Sequence, residues 1–70
     1  MNLHWAASSC VRLFAYDDRC RELFIVFQSS PRIYVYCDVP REVFEELKAA
    51  ESKGRYVNRN VRGVYRCCVE

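Results

Sequence analysis

At Asp38-Val39-Pro40 the apolar period of this chain changes from two to between three and four, and no other feature limits the fold as much. Before that point, three runs alternate or are rich in β-branched and aromatic residues: Cys10–Tyr16, Glu22–Phe27 and Arg32–Tyr36. Asp17-Asp18-Arg19-Cys20 and Gln28-Ser29-Ser30-Pro31 separate them. Asp and Ser side chains bond their own backbone a residue or two on, so both stretches read as turns. Three such runs with short connections predict an antiparallel meander. The middle run is apolar on both faces, which places it centrally in the sheet.

Beyond the switch the pattern is helical. Proline is tolerated in a first helical turn because its missing N–H would be unpaired there. Glu42, Glu45 and Glu46 suit the positive end of the helix dipole. Val43, Phe44, Leu47 and Ala50 form one amphipathic stripe. Ser52 is placed to cap a second short helix, with Gly54 weakening its first turn and Tyr56, Val57 and Val61 on its buried side. Gly63 suits a left-handed helix end, and Val64–Val69 is apolar enough for a last strand. The expected order is β-β-β-α-α-β, an α+β fold in one domain spanning residues 1–70, with residues 1–7 as an N-terminal tail.

Seventy residues lie near the lower limit for a chain that folds without metal or disulfides, yet 51% are hydrophobic, the opposite of a disordered composition. A core this small holds one layer of helices on one sheet and leaves little room for a deep substrate cavity, which counts against catalysis. Met1-Asn2-Leu3-His4-Trp5 lacks the basic start and apolar run of a signal peptide. No apolar stretch approaches the roughly 20 residues that span a bilayer. With an odd count of five cysteines, the expectation is a cytoplasmic chain with reduced thiols, packed as small apolar groups, and no membrane partner.

The ordered segments resemble a known family. Tyr34-Val35-Tyr36 is similar to its YxY motif, and Asp38-Val39-Pro40 with Val43-Phe44 and Leu47 resembles its helix opening. Ser52-Lys53-Gly54-Arg55-Tyr56, then Asn58, Val61-Arg62-Gly63 and Tyr65, look like its C-terminal signature. Together they resemble the KTSC domain from about Ser8 to Tyr65. That domain is named for its place at the C-terminus of some lysyl-tRNA synthetases and also occurs as short stand-alone bacterial proteins. The resemblance implies a domain of unassigned function, with RNA binding suggested by the company it keeps. It carries no catalytic residues to transfer, and neither the cysteine richness nor the Trp5-containing start belongs to the pattern.

The net charge of +2 hides a segregation. Asp38–Glu51 holds five acids against Arg41 and Lys48, whereas Lys53–Arg66 holds five bases and no acid. Lys53, Arg55, Tyr56, Arg59, Arg62, Tyr65 and Arg66 interleave cations with rings, which suits phosphates and bases or sugars. Arg55, Arg59 and Arg62 share one face at helical spacing. The competing reading is a solvated face that pairs with the acidic first helix. Tyr34 and Tyr36 share one sheet face. Either they join Phe24, Val26 and Phe14 or Tyr16 in an exposed aromatic platform, serving RNA or a second copy, or they are core.

The cysteines lack ligand-pair spacing for zinc, so no metal is expected. His4 has no evident orienting partner, and only Gly54 and Gly63 are available, so no phosphate loop exists and no catalytic residue is assigned. The leading expectation is a non-catalytic module, without cofactor, that binds RNA or another phosphate-bearing ligand through residues 53–66. The alternative is a protein-interaction or homodimerisation domain using the aromatic sheet face and the acidic helix. A small phage protein is compatible with the length.

Overall fold

The computed structural model describes the backbone of residues 2–5 and 10–69 and the side chains of residues 10–68. Five strands, β1 (Asn2–Trp5), β2 (Val11–Asp17), β3 (Glu22–Phe27), β4 (Ile33–Tyr36) and β5 (Cys67–Val69), form one antiparallel sheet in chain order. Helices α1 (Arg41–Ala49) and α2 (Lys53–Asn60) lie between β4 and β5 in the chain. The α+β class and the meander-helix-helix-strand order are as the residue pattern predicts. One correction falls at the start: Asn2–Trp5, expected in a tail, pair with Leu13–Tyr16 as an edge strand. Met1, Ala6 and Ala7 lie outside the described residues, as does the side chain of His4.

The register decides which sheet face is covered. Phe14 pairs with Ile25 and Ile25 with Tyr34, while Tyr16 pairs with Leu23 and Leu23 with Tyr36, so these six share one face. On that face α1 and α2 deposit Phe44, Leu47, Val57 and Val61. Phe44 stacks on Tyr16 at 5.1 Å and meets Phe14 edge-on at 5.8 Å. Tyr36 is therefore core, 2% exposed, and Tyr34 is packed half-buried against it.

An open platform of Tyr34, Tyr36, Phe14 and Tyr16 is thereby ruled out. Phe24 and Val26 belong to the opposite face, because Phe24 pairs with Ala15 and Val35. That face carries Leu13, Ala15, Phe24, Val26 and Val35, with Ile33 41% exposed at its margin.

A bulge between Val11 and Leu13 advances β2 by one extra residue. Val11 and Phe14, three apart, can then both enter the same core. The turn into α1 is held at Val39: its N–H donates to the Arg21 carbonyl at 2.9 Å, and its carbonyl accepts from the Tyr16 hydroxyl at 2.6 Å. Asp38 adopts φ +55° beside it, a region that Asp tolerates better than most residues. Gly63, at φ +78°, ends the α2 region as expected.

Candidate functional site

Charge is partitioned between the helices more sharply than the sequence alone requires. On α1, Glu45 pairs with Arg41 at 3.3 Å and with Lys48 at 3.0 Å, while Arg41 also reaches Asp18 on the β2–β3 turn. The Lys48 ammonium holds the Glu45 carboxyl below its ordinary pKa, and the bond to Asp18 raises that of Arg41. Glu46 accepts the Tyr56 hydroxyl at 2.5 Å. Burial, then this bond, pushes the Tyr56 phenol up. Among the described residues, no ion pair joins an α1 acid to Arg55, Arg59, Arg62 or Arg66.

The seven residues of the basic run therefore have different fates. Lys53 turns back on α1, donating to the carbonyls of Ala50 at 2.5 Å and Lys48 at 3.0 Å. It ends a helix whose last carbonyls need donors. Tyr56 and Tyr65 are half-buried against the core. Arg66 is exposed at the β4–β5 end of the sheet, where its carbonyl accepts the Cys37 N–H at 2.8 Å and the neighbouring Cys37 thiol raises its pKa. Arg55 and Arg59 stand exposed on α2.

Arg62 lies past the helix end, where its N–H donates to the Val57 carbonyl at 2.8 Å. Its guanidinium donates to Asn58 at 3.2 Å and sits 6.0 Å from the centre of the Phe27 ring. Lys53, Tyr56 and Tyr65 are thus bound up within the domain, while Arg55, Arg59, Arg62 and Arg66 are exposed.

Beside Arg62 runs a groove of about 500 Å³. Gly54, Asn58 and Arg62 line it from the α2 side, and Gln28, Ser29 and Ser30 from the β3–β4 turn. Phe27, Tyr34 and Cys10 complete it. The Phe27 and Tyr34 rings meet edge-on at 5.2 Å. The turn is secured by the Gln28 N–H on the Cys10 carbonyl at 2.8 Å and the Arg32 N–H on the Ser30 hydroxyl at 3.2 Å. On the other side Ser52 caps α2, accepting the Arg55 N–H at 3.3 Å. Gly54 is buried against Cys10, and a Cβ there would lie 2.6 Å from the Cys10 Cβ. This close approach, and not any need for flexibility, accounts for glycine in a first helical turn.

Sequence reasoning finds Arg62 and Tyr34 but leaves out Phe27, Ser29, Ser30 and Asn58 as lining residues. Ser29-Ser30 announces only a turn, and nothing local pairs that turn with a helix more than twenty residues on.

The cysteines also depart from expectation: Cys10, Cys20, Cys67 and Cys68 are exposed and only Cys37 is half-buried, so they are not core filler. No disulfide joins the described residues. Donor atoms of Asp17, Cys20 and Glu22 lie within 4.8 Å of one another at the β2–β3 turn. Asp17 is occupied there, accepting the Arg19 N–H at 3.0 Å, and its charge raises the Cys20 thiol pKa. Among the described residues no helix is long and apolar enough to cross a membrane.

Comparison with known proteins places the fold. The chain is 28% identical to the KTSC domain protein YPO2434 of Yersinia pestis, with a TM-score of 0.90 over 96% of this chain and 93% of that one. It is 41% identical over 59 residues to a protein of Tsukamurella paurometabola, covering 84% of this chain and 87% of the relative. It is 34% identical over 58 residues, 83% of its length, to the lysine–tRNA ligase of Nostoc punctiforme, of which it spans 10%. The KTSC domain model matches residues 7–65. With that match over most of its length, its YxY strand in the core and its C-terminal signature on the groove, the chain belongs to the KTSC domain family.

Proposed function

We propose that this domain is a non-catalytic module that binds RNA, or another phosphate-bearing ligand, through Arg55, Arg59 and Arg62. The observation that carries the reading is the fate of the acids. The bland alternative requires the arginines of α2 to be neutralised by α1, yet Glu45 and Glu46 are engaged by Arg41, Lys48 and Tyr56. Three outward guanidiniums within eight residues, beside a groove lined by hydroxyls and a carboxamide, suit a chain of phosphates. The shared stretch in a lysine–tRNA ligase supports this, since that relative acts on an RNA.

The test is a titration of the reduced protein against labelled single-stranded RNA, duplex RNA and DNA at 50 and 200 mM salt. Three phosphate contacts on a single strand give a log–log slope of about −2, so affinity falls roughly 20-fold across that range. Arg55→Gln with Arg59→Gln makes the slope shallower by about 1.4 while stability shifts by no more than about 0.5 kcal/mol. Absence of binding to every probe at 50 mM salt sinks the proposal.

A further inference from the structure

We infer that the groove between α2 and the β3–β4 turn receives one unpaired base of a single-stranded RNA, held by Phe27, Tyr34, Asn58 and Arg62. This rests on the phosphate-binding reading above and adds to it a preference for single strands.

The lining chemistry selects the occupant. A site for phosphate alone has no use for a pair of aromatic rings, and a purely apolar ligand would leave a guanidinium, a carboxamide and two serine hydroxyls without return. A nucleobase offers both a flat apolar face and a polar edge, and it is recognised on RNA where it is splayed out of a helix. The volume of about 500 Å³ falls in the range of small-ligand sites. Arg62 is held in place before any ligand arrives, by its bond to Asn58 and its seat over Phe27. Such preorganisation lowers the entropic cost of binding.

The helix then sets the direction of the strand. Gly54, Asn58 and Arg62 recur every four residues along the groove. Arg55 and Arg59 each follow a groove residue by one position, about 100° round the helix, on the outer shoulder. A strand that places a base in the groove carries its neighbouring phosphates over that shoulder. A duplex, with bases paired and stacked inward, offers phosphates to Arg55 and Arg59 but nothing to the groove.

The experiment compares three labelled probes of equal length against the full reduced chain: oligouridylate, duplex RNA, and a ribose-phosphate oligomer without bases. Oligouridylate is expected to bind about ten-fold or more tightly than the other two, the scale of one base–aromatic stack. Asn58→Ala and Phe27→Leu, which also free Arg62, lower oligouridylate affinity by more than they lower that of the baseless oligomer, so the gap between the two probes narrows. Phe27 also packs on the core, so Asn58→Ala, at an exposed position, keeps the test valid if Phe27→Leu unfolds. Oligouridylate also slows alkylation of Cys10, which lines the groove, relative to Cys20 on the β2–β3 turn. If all three probes bind alike, lose affinity together with Arg55→Gln and Arg59→Gln, and leave Cys10 equally reactive, the base site is overturned and the phosphate-binding reading stands. If no probe binds at low salt, both fall.

Discussion

Gly54→Ala sets two effects of opposite sign against each other within one residue of α2. In a helix interior alanine is favoured over glycine by about 1 kcal/mol, so an unobstructed site would be stabilised. Here the new Cβ would stand 2.6 Å from the Cys10 Cβ and 3.0 Å from its Sγ. The sulfur can rotate away, but the Cys10 Cβ is fixed by its backbone at the entrance to β2. The helix has to move. Overpacking of this kind costs about 1–3 kcal/mol, and a contact with an immobile atom belongs in the upper half of that range. Subtracting the gain in propensity leaves a net loss of about 1–2 kcal/mol, or about 4–16 °C in Tm for a chain of this size.

The assay is thermal and urea unfolding by circular dichroism under reducing conditions. Cys10→Gly removes the opposing Cβ, so a double-mutant cycle should show the two substitutions coupled by at least 1 kcal/mol. An unchanged or raised Tm for Gly54→Ala, or strict additivity with Cys10→Gly, refutes the close-approach explanation.

Phe44→Ala removes the ring that stacks on Tyr16 and meets Phe14, at a cost of about 3–5 kcal/mol. A chain of this length has roughly 4–10 kcal/mol in total, so the variant should be substantially unfolded at 37 °C by circular dichroism. Tyr16→Phe leaves the Val39 carbonyl without its 2.6 Å donor and should cost about 1–3 kcal/mol in urea unfolding without loss of fold.

Burial, then the neighbouring Cys67, pushes the Tyr36 phenol up to about 12. Because the folded value is raised above the unfolded one, near 10, its stabilising contribution is complete below pH 10 and is lost as pH climbs from 10 to about 12. Urea midpoints measured across pH 9–12 should fall, and fall less for Tyr36→Phe. At the opposite turn the Asp17 charge raises the Cys20 thiol pKa, so Asp17→Asn should shift the pH profile of Cys20 alkylation downwards. An unmoved profile counts against that electrostatic cause.

Local chemistry declared itself in the sequence wherever neighbours along the chain decide the outcome. The Glu22–Phe27 strand, the Ser52 cap, the left-handed Gly63 and the Phe44/Leu47 stripe of α1 each follow from side-chain periodicity or from a residue's own backbone preference. The segregation of acid from base was equally legible, because it is a property of order alone.

Alternation told that Tyr34 and Tyr36 share a face but not which face the helices would take, since β3 is apolar on both sides. Strand pairing settled that, joining Tyr34 to Ile25 and Tyr36 to Leu23. Asn2–Trp5 became a strand through pairing with β2, a partner eight to fourteen residues away that no local pattern names. The groove depends still more on packing. Gly54 lets α2 approach Cys10, and only that approach brings Asn58 and Arg62 opposite Ser29 and Ser30. Residue types and their spacing determined the elements and the supply of charge. Which cations remained outward, and what they stand beside, was decided by long-range contacts whose partners the chain order does not specify.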